Sequence, residues 1–133
     1  MTVFLPEVFP YQKLRGDFYP IVSAFVNLRA DQPKTKTWAL VDSGASISIF
    51  RPEIAVQLGI KIERGKPIDL EGVGGSIKGY IHELNLQISH KTIKCSVVFS
   101  KNYNVSVNLL GRAGFFESFL ITFNEPKKQL TLL

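Results

Sequence analysis

The chain has 133 residues, 45% hydrophobic and 20% charged, with 16 Lys+Arg against 11 Asp+Glu and a formal net charge of +5. This is the composition of one globular domain, long enough to bury a core, with little room for two lobes that close on a cleft. A single cysteine, Cys95, excludes an intrachain disulfide scaffold and permits a reducing compartment.

The first segment, MTVFLPEVFPYQ, has neither a basic start nor a long apolar stretch, so it does not read as a signal peptide. Its Pro and aromatic residues suggest an arm over residues 1–16, lying on the surface or crossing to a partner, ahead of a domain over 17–133. No run reaches the ~20 apolar residues of a membrane span. The lysines are dispersed, from Lys34 and Lys36 to Lys127 and Lys128, with no block of like charge. Neither a membrane nor a nucleic-acid partner is expected, and the expected location is cytoplasmic.

Further along, the dominant period is two. Val22, Ala24, Val26 and Leu28 share one strand face, and Trp38 to Val41 forms a short apolar run expected to be a buried strand, with Trp38 in the core. Pro52 and Glu53 open a short helix, Ile54, Ala55 and Leu58 share its apolar face, and Gly59 closes it. Arg51 stands where a capping Ser or Asp is preferred. Gly72 to Gly79 is dense in glycine and flanked by β-formers. Leu84, Leu86 and Ile88 alternate with polar residues, and Ile93, Cys95, Val97 and Phe99 repeat the pattern after a turn, which predicts a hairpin. Val105, Val107 and Leu109 predict another strand. A second short helix is plausible over Arg112–Ser118, followed by strands at Phe119–Phe123 and Gln129–Leu133. The fold class is mostly β with one or two short helices.

One stretch carries chemistry: Leu40-Val41-Asp42-Ser43-Gly44-Ala45. Strands normally exclude Asp, so a carboxylate at the end of an apolar strand needs an explanation. A plain turn is the bland one, since Asp, Ser and Gly are all turn formers. A second apolar strand ending in glycine, Leu109-Leu110-Gly111-Arg112, raises the signal, and the glycine-rich segment lies between the two.

This order of parts resembles the retropepsin-like, or retroviral-type, aspartic proteases, including their single-lobe relatives. The likeness rests on Asp42-Ser43-Gly44-Ala45, the Pro52–Gly59 helix, the Gly72–Gly79 segment and Leu109-Leu110-Gly111-Arg112, with the final hairpin as its closing strands. The resemblance implies a closed single-lobe barrel and an aspartic endopeptidase that hydrolyses peptide or protein substrates without metal or cofactor. It implies a homodimer, because the site needs two such carboxylates and each chain has one. Asp42, Ser43 and Gly44 are then the catalytic loop. Gly44 N–H helps hold the carboxylate, and the Ser43 hydroxyl bonds across to the partner loop. Gly111 lets the second strand pack closely behind. Ala45, Gly72, Val73, Gly74, Gly75 and Ser76 are expected to contact substrate, the last five as a flap. Two carboxylates within hydrogen-bond reach cannot both ionise cheaply and so share a proton, which prepares one to activate water and the other to donate to the carbonyl oxygen.

The chain departs from the family pattern at Ser46, where many retroviral members carry a further Asp, and at Ala113, where Asp or Asn often follows Gly-Arg. Those departures leave Arg112 without its usual partners. They also motivate the alternative reading, a peptide-binding or dimerisation module without efficient catalysis. Other chemistries find less support. Cys95 lies on the apolar parity of its strand, His82 reads as a strand-face residue, and two histidines with one cysteine are few for zinc.

Overall fold

The computed structural model describes residues 5–72 and 74–133. Three short strands lead in: β1 (Glu7–Pro10), β2 (Gln12–Leu14) and β3 (Asp17–Tyr19). Then come β4 (Ile21–Asn27), β5 (Thr35–Val41), β6 (Ser48–Phe50) and the helix α1 (Pro52–Leu58). The remaining strands are β7 (Lys66–Gly72), β8 (Gly75–Ile88), β9 (Lys91–Phe99), β10 (Asn108–Leu110), β11 (Ile121–Asn124) and β12 (Gln129–Leu132).

The order β4-β5-β10-β6-β9-β8 closes on itself because β4 also pairs with β8, with Val26 opposite Leu86. The result is a closed six-stranded barrel. Period-two alternation fills it. Val22, Ala24 and Val26 of β4 are fully buried, as are Leu86 and Ile88 of β8 and Val97 and Phe99 of β9. Burial of each large apolar side chain contributes about 1.5–3 kcal/mol. β8 is long enough to do two jobs. From Tyr80 onward it pairs with β9, while its first half, Gly75 to Ile81, pairs with β7 in a hairpin.

α1 runs as expected. Ile54, Ala55 and Leu58 are buried, Glu53 lies in the first turn, and the Gly59 N–H bonds back to the Ala55 and Val56 carbonyls. Arg51 makes no side-chain cap there.

The N-terminal residues join two small sheets. β1 pairs antiparallel with β12, whose other side pairs with β11, so the last strand is flanked on both sides by its own chain. β2 and β3 form a hairpin with Leu14 opposite Asp17. Its two turn residues, Arg15 and Gly16, have φ of 53° and 89°, the left-handed pair of a type I′ turn.

Three expectations are corrected. Trp38 is 49% exposed rather than core, because Thr37, Ala39 and Val41 are the residues of β5 that face inward. The Lys36 ammonium lies 5.2 Å from the Trp38 ring centre on that outer face. The strand expected from Val105 shrinks to β10, and its buried members are Asn108 and Leu110, the opposite parity. Asn108 is tolerated inside because its carboxamide is satisfied: it donates to Thr37 Oγ1 and the Trp38 carbonyl, both at 2.9 Å, and accepts from the Arg51 N–H at 2.7 Å. Finally, Arg112–Ser118 holds only a 3-10 turn at Phe116–Ser118. Gly114, at φ 83°, leaves the helical region and stops a longer helix.

Asn108 thus links β5, β10 and the approach to α1. Asn108→Leu should cost roughly 1–3 kcal/mol, the scale of leaving buried polar groups unpaired. The check is the urea midpoint at unchanged slope against the parent protein.

Candidate active site

Asp42 follows directly on β5, where that strand runs parallel to β10 with Leu40 beside Leu109 and Val41 beside Leu110. The Asp42 N–H donates to the Leu110 carbonyl at 3.0 Å, so the strand pairing carries through to the carboxylate residue. The chain then turns sharply. Ala45 N–H donates to the Asp42 carbonyl at 3.2 Å, and Gly44 N–H donates to Asp42 Oδ1 at 2.9 Å. Asp42 and Ala45 are half-buried, while Ser43 and Gly44 are exposed. The loop therefore presents a fixed carboxylate, with Ser43 beside it, toward the outside of the chain.

A second loop backs it. Arg112 N–H donates to the Ala45 carbonyl at 2.8 Å and Ala113 N–H to the Ser46 carbonyl at 3.0 Å. Gly111 N–H donates to the buried Ser48 Oγ at 3.0 Å. A Cβ at position 111 would lie 2.5 Å from the Ile47 carbonyl oxygen and 2.8 Å from that of Ala45. The two loops touch backbone to backbone, and only glycine permits that approach.

The β7–β8 hairpin roofs an open groove of about 360 Å³. Gly72, Gly74 and Gly75 of the hairpin line it. Asp42, Ser43, Gly44, Ala45 and Ser76 are not among its lining residues, and Val73 lies outside the described residues. The opposite side comes from Ile49 and from Tyr103 to Val105. Tyr103 ties groove and carboxylate together. Burial, and then the negative charge of Asp42, push its hydroxyl up to about 12. That hydroxyl donates to the Val107 carbonyl at 2.9 Å, which braces the 103–107 loop.

This wall occupies positions where the alternation of Val105 and Val107 predicts a strand. The cluster Asn102-Tyr103-Asn104 just before an apolar strand was the available signal, since such residues mark loops and loops carry sites.

The competing groups are structural. Cys95 is buried, with Ser48 Oγ, the Ser96 carbonyl and the Ala113 carbonyl around its sulfur at 3.7–3.8 Å. Burial pushes its thiol up, the wrong direction for a nucleophile. His82 Nε2 bonds the Ile62 carbonyl at 2.8 Å and its ring packs edge-on to Phe99.

A family model described as aspartyl protease matches residues 26–113, a span that contains Asp42, the β7–β8 hairpin and Gly111. The chain belongs to the aspartyl protease family. Among solved structures, a retropepsin-like aspartic protease from Rickettsia conorii is similar at 24% identity and a TM-score of 0.68, over 99% of this chain and 96% of that one. The EIAV protease complexed with the inhibitor HBY-793 is similar at 19% identity and a TM-score of 0.56, over 76% of this chain and 88% of that one. No curated protein matches. The fold is the single-lobe, retropepsin-like form of the aspartyl proteases.

Gly111→Ala places a methyl against backbone, which has nowhere soft to move. The expected cost is about 1–3 kcal/mol, the overpacking scale. Chemical shifts of residues 42–47 should move in the folded variant. Unchanged stability together with unchanged loop shifts would show that the two loops are not in the close contact described.

Proposed function

We propose that the protein is an aspartic endopeptidase that works as a homodimer, with one Asp42 from each chain at the centre of the site. The observation that carries this reading is the Asp42 carboxylate, held by Gly44 N–H at an outward-facing loop, whose charge reaches Tyr103 in the wall of the hairpin-roofed groove. The chain has three other Asp residues, and none sits on a comparable loop. Asp17 belongs to β3 and Asp69 to β7, while Asp31 pairs with Arg29 at 3.4 Å. A two-carboxylate site therefore needs a second copy, related by a two-fold axis that makes the paired loops equivalent.

The chemistry follows from that pairing. One carboxylate is ionised and its partner keeps the shared proton. The ionised member takes a proton from a water, whose oxygen forms a bond to the peptide carbonyl carbon. The protonated member donates to the carbonyl oxygen, which gives a neutral gem-diol. Proton transfer to the amide nitrogen then lets the C–N bond break, and the carboxylate pair returns to its starting state. Gly44 N–H fixes the orientation of Asp42, and Ser43 at the loop tip is placed to bond across to the facing loop. The substrate chain lies extended in the groove, bound as an added strand, and Gly72, Gly74 and Gly75 give the roof the freedom to close over it and exclude water.

Asp42→Asn removes the proton-holding pair while keeping the shape of the loop. Cleavage of a mixed peptide library should fall by about 10³-fold or more. Size-exclusion behaviour and urea midpoint should stay close to the parent. Cleavage by the parent protein should be blocked by pepstatin. Normal turnover by the variant contradicts the proposal, and peptide binding without turnover by the parent selects the binding-module reading instead.

A further inference from the structure

The 103–107 loop borders more than the groove under the β7–β8 hairpin. Val105 lines that groove on one side and on the other lines a second hollow of about 190 Å³. That hollow adjoins a third, of about 300 Å³, and the two share Leu14, Leu40 and Val107 as walls. Leu40 stands two residues before Asp42, on the same side of the extended chain. The far wall of both is the β2–β3 hairpin, which lies before the residues 26–113 matched by the family model.

The walls differ in character from a plain apolar trough. Arg15 lines the smaller hollow and Arg51 the larger, and among the described residues no carboxylate lines either. Arg51 is partly engaged, with its Nε 3.5 Å from Glu53. Arg15 forms no ion pair among the described residues. It also occupies the first position of a type I′ turn at φ 53°, where Asn or Gly is the preferred residue. Arg15 is thus held, at some backbone cost, in the wall of an apolar hollow that shares Val105 with the groove.

We propose that the β2–β3 hairpin adds a subsite beside the substrate groove, in which Arg15 recognises an acidic side chain of the bound peptide. The inference rests on the endopeptidase reading. It makes Arg15 a specificity-determining residue for peptides that carry Asp or Glu near the scissile bond, and a planar guanidinium suits a carboxylate in two-point contact.

The test scans Glu against Gln through each position around the bond cleaved in one peptide, with kcat and KM measured separately. The parent should prefer Glu at one position by about threefold to fivefold, the scale of a solvent-facing ion pair, and mainly through KM. Arg15→Asn keeps a residue that suits the turn, so it should fold, and the Glu-to-Gln ratio at that position should fall to about one. Arg15→Lys should keep most of the ratio. If no variant turns over any peptide, the endopeptidase reading fails, and affinities of the same fluorescent peptides decide the inference by the same ratio. No Glu-preferring position in the parent, or an undiminished ratio in Arg15→Asn, overturns it. So does an Arg15→Asn variant that shifts the dimer dissociation constant and leaves the ratio unchanged, because the hollow would then hold the partner subunit.

Discussion

The close approach of two backbone loops organises this molecule. Asp42 would be an ordinary turn carboxylate if the 111–113 segment did not lie against it. Four contacts hold the loops together: Asp42 N–H to the Leu110 carbonyl, Arg112 N–H to that of Ala45, Ala113 N–H to that of Ser46, and Gly111 N–H to Ser48 Oγ. Three are backbone pairs, so their geometry does not depend on side-chain rotamers. The missing side chain at Gly111 is the condition for all of them, since a Cβ there would meet backbone atoms at 2.5–2.8 Å. Preorganisation of this kind suits the proposed pairing of Asp42 with a second carboxylate at fixed distance.

The barrel supports that contact from below. β5 and β10 run parallel at its centre, and parallel neighbours cannot be joined by a short turn. The chain between them instead builds β6, α1, the β7–β8 hairpin and β9. Both walls of the groove arise in that excursion: the roof as a hairpin that overshoots the barrel on the long strand β8, the side as the loop returning from β9 to β10. Asn108 locks the return by bonding to β5 and to the residue ahead of α1. One closed barrel thus fixes the carboxylate loop, while the roof projects from it on β7 and the first half of β8.

Much of this was legible in the residues. The alternation in Leu84–Ile88 and Ile93–Val97 has one polar parity and one apolar one, so the buried face is legible there. Asp42 was conspicuous because an apolar strand running into a carboxylate is a conflict between local preference and burial. Other parts were hidden for physical reasons. Trp38-Ala39-Leu40-Val41 is apolar at every position, and such a run does not say which parity points inward. Asn108 reads as a surface residue until its partners are known, and they come from the distant Thr37, Trp38 and Arg51. Tyr103 and Val105 form a groove wall only because the strand starts three residues later than the valines suggest. The Arg15-Gly16 hairpin escaped because its first turn residue is not one of those that adopt the left-handed conformation at low cost.

The central claim is that each active site contains one Asp42 from each of two chains, and subunit mixing tests it most directly. Parent and Asp42→Asn protein are mixed at constant total concentration, well above the dimer dissociation constant, and allowed to exchange before peptide cleavage is assayed. If the site is shared, mixed dimers are inactive, activity follows the square of the parent fraction, and an equal mixture retains about a quarter of the full rate. A straight-line dependence, with about half the rate in the equal mixture, would mean that each chain carries its own complete site and would contradict the account.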